Sequence, residues 1–213
     1  MKLTTNSSEQ TKKGWKLKLP SIPKKYVLGL SFGIVIYAPG ITSTSFMLSL
    51  SPSLLNEVLG IGNPFVSGLT VCIMFLFATG VQFVLNRLSV KPIFLSGAVS
   101  IFLSMFCIIE GVTTLNFIFI LLAGIFAGMG QGLGQFGGLR FINKNIAEDK
   151  RAEAIFLLNI GGYIPAAILS VTTGYFIDYT SVQTGAIAFG ILLIVITLAS
   201  VFHIVTRLKV SNG

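Results

Sequence analysis

Six stretches of this chain are each long enough and apolar enough to cross a bilayer, and no other feature limits its fold as tightly. They cover 26–50, 64–86, 92–110, 115–139, 154–177 and 184–206. A membrane helix needs about 20 mostly apolar residues to span a hydrocarbon layer of about 30 Å. Peptide groups in hydrocarbon have no water to bond to, so such runs fold as helices. Composition agrees: 53% of the residues are hydrophobic and 10% charged, with a mean hydropathy of +0.86, against roughly 25% charged in a soluble domain. These values exclude a cytosolic enzyme, a nucleic-acid module and a secreted disulfide scaffold. Cys72 and Cys107 lie in apolar runs without metal-ligand spacing and read as small buried hydrophobes. The chain therefore reads as an all-α integral membrane protein whose first partner is the lipid bilayer.

Charge divides the chain further. A basic segment (1–25) precedes the six-helix domain (26–206), and a short tail (207–213) follows it. The leading segment has no apolar core, so no cleaved signal peptide is expected. If the six helices alternate in direction, all 15 Lys and Arg fall on one side, in 1–25, 87–91, 140–153 and 207–213. The opposite side carries Glu57, Glu110 and Asp178 and no cation. The positive-inside rule then places both termini in the cytoplasm, with the domain in the cell membrane. The basic balance is thus topology charge, and no nucleic-acid partner is expected.

The spacing of the runs adds a second expectation. The connections 51–63 and 140–153 are long, and 87–91, 111–114 and 178–183 are short. Each triplet of helices thus has a long connection followed by a short one. Three is odd, so the second triplet is inverted relative to the first, an arrangement found in transporter halves. Pro39 and Gly40 fall as deep into the first run as Gly128 does into the fourth. Helix breaks at equivalent places point to a mid-membrane site or gate, and the candidates are Pro39, Gly40, Gly128, Gly130, Gly134 and Pro165. Close helix packing accounts for the same glycines, because small residues let backbones approach.

Two motifs fail their structural context. Residues 132–137 spell G-L-G-Q-F-G, but a dinucleotide site needs a strand before its glycines, and these lie deep in an apolar run. Residues 29–33 spell G-L-S-F-G, and His203 is the one histidine. A nucleophilic Ser31 would need a strained elbow, whereas the sequence around it continues a smooth helix. An intramembrane serine hydrolase is therefore only a remote alternative. There is no G-x-x-x-x-G-K-[ST] segment for ATP, and no cofactor or metal is expected.

Uncharged polar residues inside the runs carry more information. Tyr37 and Thr44 lie in the first run, Gln131 and Gln135 in the fourth, and Asn159 and Tyr163 in the fifth. A spacing of four puts each of the latter two pairs on one helix face. Amides are costly in hydrocarbon, so they face other helices or a polar path. Each alone fits interhelical bonding, typically worth about 1 kcal/mol or less; as a set they fit a pathway. The third and sixth runs hold only scattered Ser and Thr and are expected to face lipid, although Ser96, Ser100 and Ser104 suggest a packing face. No Asp or Glu lies near the middle of any run, so the chain supplies no carboxylate relay for proton coupling.

A family resemblance can be stated on these residues. F-M-L-S-L-S-P-S-L-L-N-E-V-L-G-I-G-N-P-F-V-S-G-L (46–69) resembles the seventh helix and following loop of bacterial major facilitator superfamily transporters. The run at 128–140, G-x-G-x-G-x-G-x-F-G-G-L-R, is similar to their tenth helix. K-R-A-E-A (150–154) and N-I-G-G-Y-I-P-A-A (159–167) are similar to the lead and body of their eleventh. Asn86-Arg87-Leu88-Ser89-Val90-Lys91 resembles a weakened D-R-x-G-R-R loop, with Asn in place of the acid. With Arg140 and Arg151, residues Asn86, Arg87 and Lys91 form the candidate cytoplasmic-loop motif. The resemblance covers 26–206 and only the C-terminal six helices of a twelve-helix family. It implies half of a secondary transporter that moves a small organic solute by alternating access. A second six-helix half, either another copy or a separate chain, would complete the path. A non-transporting remnant or interaction subunit is the rival expectation.

Overall fold

The computed structural model describes residues 24–85 and 87–210. They form α1 (Lys24–Ser53), a π-helical turn (Leu54–Val58), α2 (Pro64–Val84), α3 (Val90–Thr113), α4 (Phe117–Asn145), α5 (Glu148–Tyr179) and α6 (Val182–Val210). Among the described residues there is no strand, and six helices are long and apolar enough to cross a membrane. The expected helical membrane domain is present.

The helix ends differ from the sequence reading. The long connections expected at 51–63 and 140–153 shrink to 59–63 and 146–147. The long-then-short spacing that suggested inverted triplets therefore disappears. Apolarity marks the part of a helix that lies in hydrocarbon, and these helices run past it. With 32 residues, α5 is about 48 Å long at 1.5 Å per residue. Caps, which hydropathy does not register, set the real ends. Asn63 accepts a hydrogen bond from the Phe65 amide at 2.9 Å, and Asn116 accepts one from Ile118 at 3.0 Å. Both satisfy amides that the first turn of a helix leaves unpaired.

Packing is centred on α4, and its glycines explain why. A Cβ on Gly128 or Gly132 would collide with the carbonyls of Met74 or Ala78 on α2. One on Gly130 would lie 2.6 Å from Ile101 on α3, and one on Gly134 would lie 3.0 Å from the Tyr37 backbone on α1. Gly138 faces Leu158 of α5 at 2.8 Å. The single helix α4 thus meets four neighbours at van der Waals distance because it has no side chains where they cross. Paired contacts also give directions: α2 runs parallel to α4, and α5, whose Gly161 and Gly162 meet Ile34 and Tyr37, runs parallel to α1. Ser104 of α3 donates to the Ala123 carbonyl of α4 at 2.8 Å and lies 3.3 Å from the Ser43 hydroxyl of α1.

The expected lipid-facing pair is corrected in part. Half of α3 is buried inside the bundle, whereas α2 and α5 are the least buried helices. Gly97, Ala98, Ser100 and Ser104 give α3 a small-residue face on which α4 and α1 pack. A scarcity of polar residues does not distinguish packing against helices from packing against lipid, because both environments are apolar.

Candidate functional site

The first helix does not break at Pro39–Gly40. It passes through both residues to Ser53, and α4 passes unbroken through Gly128, Gly130 and Gly134. The expected interruptions are therefore corrected to a continuous crossing. Proline at 39 removes only the bond to the carbonyl four residues earlier, and membrane helices tolerate such a loss when neighbours pack against it. Gly40 is needed at this point because its Cβ would lie 2.9 Å from the Gln131 Cα. Pro165 likewise lies inside a continuous α5. The discontinuity is elsewhere: beyond Pro52, the Leu59 amide bonds the Leu54 carbonyl at 3.2 Å in a π-helical turn.

This crossing brings several sequence-predicted residues to one level of the bundle. Tyr37 is fully buried, and its ring meets that of Tyr163 edge-on at 6.3 Å between centroids. A Cβ on Gly162 would touch the Tyr37 ring at 2.5 Å, so α5 closes over it. The Tyr37 hydroxyl faces Tyr163 without a well-formed hydrogen bond to any described residue. The Gln131 Oε1 is also buried without a partner. Buried polar atoms are nearly always bonded, so two at one level mark a place that a water or a polar solute could satisfy.

Helical geometry fixes where the amides point. Successive residues turn by about 100°, and the glycine contacts assign the α1, α2 and α3 sides of α4. Gln131 and Gln135 fall where the α1 side of the helix meets its α2 side. Tyr163 is exposed and Asn159 half-buried on α5. The polar sector thus lies between α2 and α5, the two least buried helices.

Thr44 does not belong with this group. It is buried, and its hydroxyl bonds back to the carbonyls of Gly40 and Ile41 at 3.3 and 3.1 Å. Threonine in a membrane helix can satisfy its hydroxyl within its own helix, so its polarity does not require a path.

The basic residues gather at one end of the bundle, where α2, α4 and α6 end and α3 and α5 begin. Arg87 and Lys91 are exposed there, and Asn86 lies outside the described residues. The Arg140 guanidinium lies 5.9 Å from the Phe136 ring centroid. Arg151 has a structural role: it donates to the carbonyls of Ile146 and Asn143, both at 3.1 Å. It therefore caps the C-terminus of α4, where a cation is favoured by the helix dipole. Ser31 lies within the continuous α1, without a strand-to-helix turn.

Sequence reasoning missed the buried, unpartnered hydroxyls of Ser51 and Ser170 and the tie between Ser43 and Ser104. Serines are common in these helices, and only the packed bundle distinguishes them. No protein-family model, curated protein or solved structure matches this chain.

Proposed function

We propose that the chain is one six-helix half of a secondary transporter, similar in plan to the C-terminal half of the major facilitator superfamily. In this reading it moves a small organic solute across the cell membrane by alternating access. The observation that carries it is the level of the α1–α4 crossing. There Tyr37 and Gln131 hold unmet hydrogen-bonding capacity, beside Gln135, Asn159 and Tyr163, between the two least buried helices. Amides at membrane depth are costly against lipid, so this sector calls for a partner surface or a polar solute. The packing of α2 on α4 and of α5 on α1 supports inverted triplets, because exchanging the triplets exchanges these two pairs. It supports them incompletely, since α3 packs heavily on α4 while α6 touches α1 only sparsely.

In this reading both termini are cytoplasmic, and the second half is another copy of the chain or a separate six-helix protein. The lack of a mid-membrane carboxylate favours facilitated exchange over proton-driven uptake. Purified protein with any co-purifying partner, reconstituted into liposomes, is tested for exchange of a panel of radiolabelled small organic solutes. Saturable exchange is expected for at least one solute. Gln131→Leu should reduce that exchange by about tenfold, equivalent to losing one hydrogen bond of about 1.4 kcal/mol. Exchange that is unchanged by Gln131→Leu and Asn159→Leu together would contradict the assigned path.

A further inference from the structure

At the end of the bundle opposite the basic residues, the chain leaves α1 through the π-helical turn and returns through Gly60, which has a φ of +68°, to α2. An open cleft of about 630 Å³ lies between this turn and α2. That volume is typical of small-molecule sites, which run to roughly 300–1,000 Å³. Leu48, Ile61 and Val71 line it together with Asn56, Glu57 and Ser67. Glu57 is exposed and has no hydrogen bond or ion pair among the described residues. The π-helical turn carries it: one extra residue in the turn rotates the side chains beyond it, a device frequent at functional sites.

The chemistry of this lining is selective. A lone carboxylate with no Lys or Arg in 51–63, 111–116 or 178–183 gives this end a negative field. Glu110 and Asp178 add to it, and such a field concentrates cations. A hard metal ion would need several more oxygen ligands than one carboxylate supplies. An anion would meet Glu57 directly. The apolar side chains favour a ligand with an apolar body, while Asn56 and Ser67 can bond its polar substituents. We propose that this cleft binds an organic monocation, with Glu57 as its counter-charge. The cation is either a dissolved solute or the ammonium headgroup of a lipid at the bilayer surface. This inference stands on the cleft itself and does not depend on transport.

Equilibrium dialysis with radiolabelled tetraphenylphosphonium, on the whole protein in a non-ionic detergent, tests it. Saturable binding is expected. Glu57→Gln should weaken it by about fivefold or more, since an opposite charge near contact is lost. Gly68→Leu should weaken it similarly, because Gly68 lines the cleft and an added Cβ there meets nothing within 4 Å. Glu110→Gln, at the same end but outside the cleft, should leave affinity within about twofold. Thermal melting by circular dichroism confirms that each variant is folded. Competition by added phosphatidylethanolamine would assign the lipid source, and its absence the dissolved one; either supports the site when binding depends on Glu57. Equal affinity in wild type and Glu57→Gln, or no saturable binding, would overturn it.

Discussion

Glycine at 128 and 132 lets the α4 backbone approach the carbonyls of Met74 and Ala78 on α2. A methyl at either position meets backbone, which cannot rotate away as a side chain can. Gly128→Ala and Gly132→Ala should each lower stability by about 1–3 kcal/mol, the usual cost of overpacking. Gly80 on α2 is exposed, with nothing within 4 Å of an added Cβ, so Gly80→Ala should raise stability by roughly 0.5 kcal/mol through helix propensity. Thermal unfolding in one detergent, with all three variants side by side, checks both signs. At Gly190 on α6 an added Cβ would lie 3.0 Å from Ile109, so this position packs against α3 and does not face lipid. The sequence pattern left the glycines of α4 open between a helix break and close packing, and did not show which neighbour each one faces. It also made Thr44 look like Gln131, because the bond that satisfies Thr44 lies within its own helix and leaves no trace in composition.

Each of the six helices could be read from a single property, the length of an apolar run, because hydrocarbon leaves a chain so few alternatives. Their ends could not, because they depend on side chains that reach across a turn. Arg151 shows the difference: as a cation after an apolar run it read as topology charge, yet it holds the last carbonyls of α4. Arg151→Ala should loosen the turn between α4 and α5 by about 1 kcal/mol. Amide hydrogen exchange at the C-terminal turn of α4 should rise about fivefold, and exchange in the middle of the helix should not change. Protection unchanged at that turn would show that the two bonds contribute nothing. The continuity of α1 through Pro39 was equally invisible in the sequence, since a proline signals a lost bond but not the packing that tolerates it. The cleft beside Glu57 was hidden for the related reason that 51–63 read as a loop.

For the whole molecule, the short connections between successive helices and the parallel packing of α2 on α4 and of α5 on α1 put the exposed cations Arg87 and Lys91 at one end and Glu57, Glu110 and Asp178 at the other. The positive-inside rule turns this asymmetry into an orientation. In a chain with Cys72 and Cys107 replaced by Ser, cysteines at the exposed positions Gly62 and Tyr179 should react with an impermeant maleimide on intact cells. One at the exposed Asn145 should react only after permeabilisation, and labelling of 145 from outside would reverse the orientation. In the proposed function, the polar sector between α2 and α5 belongs to an assembly of two six-helix halves. Native mass spectrometry of the protein, extracted in mild detergent from the cells that produce it, tests this most directly. The expected species is a complex of two six-helix chains, either two copies or one copy with a different partner. A lone 22.8 kDa chain that still exchanges solute after reconstitution would contradict it.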